Sequence, residues 1–110
     1  MPELPSRRTL VSKQNNMRPR KAFHLMVTSL PDSGYKLSAP LSIVIEQTSN
    51  TAIASFEAAN IHMSGDTVRE ALDNLLSLML DLFETFSSDE TNLGKEPARQ
   101  LNVLRSYIYA

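Results

Sequence analysis

The sequence predicts an α+β fold, with a small antiparallel three-stranded sheet packed on one long helix and a short helix closing the C-terminus. Phe23–Val27 leaves room for a fourth, N-terminal strand. Three observations carry this. Leu41, Ile43 and Ile45 alternate along Leu41–Glu46 and mark a strand with one apolar face. Val68, Leu72, Leu75, Met79, Leu82 and Phe86 recur at four- and three-residue steps and form one helical stripe. Between them, Thr67 and Glu70 have the spacing of a capping box.

The elements follow in chain order. Residues 1–22 hold three prolines and few apolar side chains, so they cannot offset their ordering entropy and are expected to be a basic, disordered tail. The remainder, 23–110, reads as one domain. Phe23–Val27 fits either a short strand or a hydrophobic arm. Pro31-Asp32-Ser33-Gly34 is dense in turn residues, and Tyr35–Leu37 is expected to be extended. After the strand at 41–46, Gln47–Asn50 is a connector of hairpin length. Thr51–Phe56 is the second strand and Ile61–Met63 a short third, with a break at Glu57–Asn60.

Ser64-Gly65-Asp66-Thr67 is the strand-to-helix junction. Gly65 is expected to supply the positive φ of a sharp turn. Thr67 should cap the N–H of Glu70, Glu70 should reach back to the N–H of Thr67, and Asp66 should complement the helix dipole. The helix is predicted over about Val68 to Phe86. Val68, Leu72, Leu75, Met79 and Phe86 are its expected core residues. Ala71, Leu76, Leu78, Leu80 and Phe83 make the apolar arc broader than one small sheet can cover. Leu76, Leu80 and Phe83 are therefore candidates for a homo-oligomer interface, unless Leu101, Leu104 and Ile108 cover them from within the chain. A polar loop follows, and a second helix is predicted from Pro97, which suits a first helical turn, to about Tyr107.

Composition narrows the function. The chain has 110 residues, no cysteine and a net charge of −1. It therefore has no disulfide, thiolate metal site or Cys nucleophile, and it suits a reducing cytoplasm. No apolar run reaches the roughly 18–20 residues of a membrane span. Residues 1–40 carry seven basic side chains against two acidic ones, +5, whereas 41–110 carry four against ten, −6. Arg7, Arg8, Lys13, Arg18, Arg20 and Lys21 are the candidate nucleic-acid contacts, since a basic arm can neutralise phosphates.

No constellation points to catalysis. His24 and His62 are the only histidines. His62 lies on the opposite side of its strand from Ile61 and Met63, where Glu57 or Asp66 could pair with it as an acid–base group. Asp66, Glu70 and Asp73 share a helical face, but capping and solvation explain them better than a metal does. There is no nucleophile elbow, P-loop or dinucleotide fingerprint, and Gly34, Gly65 and Gly94 are too scattered to form one. No catalytic, metal or cofactor residue is assigned.

A hairpin, a third strand ending in Gly-Asp-Thr and a helix opening with Glu-Ala resemble the HicB-like antitoxin family. Ile53-Ala54-Ser55-Phe56 and Ser64-Gly65-Asp66-Thr67-Val68-Arg69-Glu70-Ala71-Leu72 carry the likeness, which extends over roughly 41–86. It implies a partial ribonuclease-H-like fold without catalytic carboxylates, in a non-enzymatic protein that masks a small RNA-cleaving toxin. Glu57-Ala58-Ala59-Asn60 stands where the family has a Pro and a Gly-containing turn. No helix-turn-helix follows Phe86, so the likeness is to an orphan type without a DNA-binding segment. The alternative function is RNA or DNA binding through the basic arm.

Overall fold

The computed structural model describes residues 21–30 and 34–110. Its main sheet has four antiparallel strands: β1 (Lys21–Val27), β3 (Leu41–Gln47), β4 (Ala52–Phe56) and β5 (Ile61–Gly65), side by side in that order. A minor sheet pairs β2 (Lys36–Leu37) with β6 (Ile108–Tyr109), and Ser38 N–H extends it by donating to the Tyr107 carbonyl at 2.8 Å. The helices are α1 (Val68–Ser88) and α2 (Lys95–Arg105).

The hairpin from β3 to β4 turns at Ser49-Asn50, with Thr48 N–H donating to the Thr51 carbonyl at 2.8 Å. β1 is a full strand in register with β3, with Phe23 opposite Ile45, Leu25 opposite Ile43 and Val27 opposite Leu41. The strand alternative at Phe23–Val27 is thus the one realised. It also takes in Lys21 and Ala22, which the sequence places in the tail. Pro31–Ser33 of the expected turn lie outside the described residues. Gly34, next to them, has a φ of 80° that glycine adopts without strain.

Among the described residues the sheet packs on one side only. Leu41, Ile43, Ile45, Ala52, Ala54, Phe56 and Ile61 are buried with Ala71, Leu75, Leu76, Met79 and Leu80 of α1. Small residues on both sides, Ala52, Ala54, Gly65 and Ala71, let α1 lie closest to β4 and β5. Val68, Leu72 and Phe86, expected in the core, sit half-buried at its margin.

The cover that the broad α1 stripe demands comes from within the chain. Leu76 and Leu80 are buried in the core, with Leu30, Tyr35 and Leu37 packed against the same cluster. Phe83 is half-buried and meets the Tyr35 ring edge-on at 5.4 Å. Leu76 and Leu80 keep only 5% and 9% of their surface, so of the three residues read from the stripe as an oligomer interface Phe83 presents the most. Leu101, Leu104 and Ile108 are all buried, but Ile108 lies in β6 rather than on the second helix. Tyr107, just before it, packs edge-on against Phe56 at 5.3 Å.

Glu57–Ala59 forms a 3-10 turn that ends on Asn60 in the left-handed region, φ 56°. α2 pins this turn: Arg99 Nη1 donates to the Ala58 carbonyl at 3.2 Å and Gln100 Nε2 to the Ala59 carbonyl at 2.9 Å. Arg105 binds Glu90 through two parallel bonds of 2.7 and 2.8 Å, tying α2 to the turn after α1. That pair holds the Glu90 carboxyl below its ordinary range and the Arg105 guanidinium above its own.

Candidate functional site

Among the described residues nothing covers the face of the sheet away from α1, and alternation along the strands decides what lies on it. β1 contributes Ala22, His24 and Met26, β3 Ser42, Val44 and Glu46, β4 Ile53 and Ser55, and β5 His62 and Ser64. The registers align His24, Val44, Ser55 and His62 in one row across the sheet. The two histidines, 38 positions apart in the chain, thus stand at opposite edges of one surface, three strand spacings or about 14 Å apart. Met26 is 57% exposed and Ile53 39%, and Val44 between them is half-buried.

His62 is held tightly. Its Nδ1 lies 2.8 Å from Ser55 Oγ and its Nε2 lies 2.9 Å from Asn60 Oδ1. The amide oxygen can only accept, so Nε2 carries a proton, and in the neutral ring Nδ1 then accepts from the Ser55 hydroxyl. Glu57 and Asp66, the partners expected from sequence, bond elsewhere or not at all to this ring. The partners found are Ser55, directly opposite His62 in the β4–β5 register, and Asn60, fixed by its left-handed turn. The register was the signal that could have found Ser55, because pairing 56 with 61 places 55 against 62.

Ser55, His62 and Asn60 have the connectivity of a nucleophile, base and orienting group. Ser55 is only 5% exposed, however. At that burial its oxygen presents little surface to a substrate carbonyl. The trio satisfies a buried hydroxyl and fixes the histidine's orientation. His24, at the other edge, lies 3.4 Å from Ser42 Oγ through Nδ1. Among the described residues no carboxylate hydrogen-bonds either imidazole, and no three His, Asp or Glu side chains gather as metal ligands.

The Gly65–Glu70 junction is built differently from expectation. Thr67 caps α1, its Oγ1 accepting from Glu70 N–H at 3.1 Å. The returning bond goes one residue earlier: Asp66 N–H donates to Glu70 Oε1 at 2.7 Å. Gly65 is not in the left-handed region, where Gly34 is the only glycine among the described residues. It is required for space, since a Cβ there would lie 2.6 Å from Ala71 N and 2.9 Å from the Glu70 carbonyl carbon. Asn74 Nδ2 donates to the Ser64 carbonyl at 3.0 Å and locks the outer edge of β5 to α1.

Of the basic arm, Lys21 is the exposed first residue of β1. Arg7, Arg8, Lys13, Arg18 and Arg20 lie outside the described residues. No helix among the described residues is long and apolar enough to cross a membrane. No family model, curated protein or solved structure matches the chain.

Proposed function

We propose that the chain is a non-enzymatic binding protein of the HicB-like antitoxin type, or a related regulator, that masks a small basic RNA-cleaving protein with the open face of its sheet. The observation that carries this is the one-sided sheet. α1 covers one face, while the other leaves Met26, Val44 and Ile53 uncovered among short polar side chains and two oriented imidazoles. Apolar anchors within a polar rim are what a protein partner desolvates. The body charge of −6 over 41–110 favours encounter with a basic partner. The Gly-Asp-Thr junction supports the family reading but supplies no contact, because each of its groups is used in capping and close packing.

The test is to recover a small basic protein that co-purifies with the chain from native cells and to measure its RNA cleavage with and without the chain. Stoichiometric inhibition is expected for the wild type, and its loss in an Ile53→Lys variant that folds normally. Full cleavage at saturating wild-type chain would refute the reading. A nucleic-acid role for the basic arm is favoured by one observation, the +5 charge of residues 1–40. It requires affinity that falls steeply with salt and disappears when residues 1–20 are deleted.

A further inference from the structure

We infer that β1 is a self-pairing edge: two copies of the chain join β1 to β1 antiparallel about His24, making one eight-stranded sheet. This is independent of the partner reading above.

The free edge is defined by the hydrogen-bond alternation of an antiparallel ladder. Thr48 and Thr51 form a bonded pair at the hairpin end, so Glu46 with Ile53 and Val44 with Ser55 are bonded pairs too. The odd residues of β3 therefore bond to β1, using Lys21, Phe23, Leu25 and Val27. The N–H and C=O groups of Ala22, His24 and Met26 are left pointing outward. The same alternation directs the Ser64 carbonyl outward from β5, and that is the group Asn74 captures. The β5 edge is thus closed by α1. Among the described residues nothing bonds to the outward groups of β1, so this seven-residue strand has one open edge.

The sequence of β1 matches its own two-fold copy. Pairing must join outward residues to outward residues, and centring it on His24 does so along the whole strand: Ala22 meets Met26, His24 meets His24 and Met26 meets Ala22. That makes six backbone bonds. The intervening positions form the closer, non-bonded pairs, where Phe23 meets Leu25 of the other copy. Phe23 lies on the core face yet is 37% exposed, and Leu25 is half-buried. Each would cover the other. Charge agrees as well. The registers put Gly65 at the Lys21 end of the sheet, and α1 starts there and runs back, so its C-terminal turns with Asp81 and Glu84 lie toward the end where Val27 stops. From Asp81 to Glu90 the chain holds four acidic residues and no basic one, Glu90 being paired with Arg105. Pairing sets Lys21, preceded in the chain by Arg18 and Arg20, at this acidic end of the second copy.

At about one hydrogen bond per 100–200 Å² of interface, six bonds correspond to roughly 600–1,200 Å² in total. That is the lower end for a specific interface, so a concentration-dependent dimer is expected rather than an obligate one.

Sedimentation equilibrium of the full chain tests this. The wild type should pass from monomer to dimer with concentration, and added salt should weaken the dimer. His24→Pro removes the two central N–H donors of the pairing but no bond to β3, and proline is tolerated on an edge whose N–H faces solvent. It should weaken dimerisation by roughly 30-fold or more with an unchanged melting temperature. If that variant does not fold, His24→Lys, which keeps the N–H and sets two ammonium groups across the axis, should weaken the dimer comparably. A chain that stays monomeric at every concentration overturns the inference. So does a dimer that both substitutions leave intact.

Discussion

Replacing Gly65 with alanine adds one methyl group where β5 meets the first turn of α1. Its carbon would sit 2.6 Å from the backbone nitrogen of Ala71 and 3.0 Å from Glu70 Cβ. The first distance is roughly 0.8 Å short of ordinary van der Waals contact. The obstacle is helix backbone, which cannot swing aside as a long side chain would. Ala71 is fully buried and its N–H is bonded to the Thr67 carbonyl at 2.9 Å. α1 must therefore lift from the sheet or the junction must open. Overpacking of this kind costs about 1–3 kcal/mol. The φ of Gly65 is compatible with alanine, so stiffening the unfolded chain returns about 0.4–1 kcal/mol. The balance is a loss of about 1–2 kcal/mol, or a fall in Tm of roughly 5–15 °C for a domain of this size. Thermal unfolding followed by far-UV circular dichroism measures it, and urea unfolding at 25 °C supplies the free energy. An alanine variant as stable as the wild type, or more stable, would refute the close-packing explanation for this glycine.

Other perturbations have equally definite outcomes. Thr67→Ala removes the acceptor for Glu70 N–H and should cost about 1 kcal/mol in urea unfolding, with Thr67→Ser restoring most of it. His62→Ala leaves the Ser55 hydroxyl without its acceptor at a nearly buried position and should cost about 1 kcal/mol, whereas the double change with Ser55→Ala should cost less than the two single changes added. The Glu90 carboxyl is held down by Arg105, so its contribution is present above the ordinary carboxylate range and is lost as pH falls through its lowered value. Glu90→Gln should therefore flatten the acid limb of a Tm-against-pH profile and leave its slope above pH 7 unchanged. Tyr35 is shifted the other way, upward, by its bond to Glu84. Its contribution holds at neutral pH and disappears as the phenol ionises, so Tyr35→Phe should flatten the alkaline limb instead.

Local chemistry was readable from the sequence wherever a single element carried it. Leu41, Ile43 and Ile45 declared their face by alternation. The α1 stripe and Thr67 set a helix start that the structure places at Val68. Long-range pairing was less legible. β1 has Phe, His, Leu and Met in succession, so its two faces differ little in polarity, and only its register with β3 shows which face is buried. The two-residue pairing of β2 with β6 joins positions about seventy residues apart and has no local signature. The width of the α1 stripe is legible, and Leu104 and Ile108 join its cluster as the intrachain alternative expects, but the additional packing of Leu30, Tyr35 and Leu37 has no local signal in the sequence. Gly65 serves close approach and not a positive φ, and periodicity reveals a junction but not how closely two backbones approach. The open face was legible only in pieces. His24, Ser55 and His62 are each ordinary strand residues until the four-strand order puts them in one row.

The most direct test of the open face as the proposed binding surface is hydrogen–deuterium exchange of the chain alone and with a small basic protein that co-purifies with it. Exchange resolved by residue reports which backbone amides a partner shields. Binding through the open face should slow exchange across residues 42–46, 53–55 and 62–64, leaving α2 and the exposed side of α1 unchanged. Protection confined to α1 and α2, with the row from His24 to His62 exchanging as in the free chain, would contradict it.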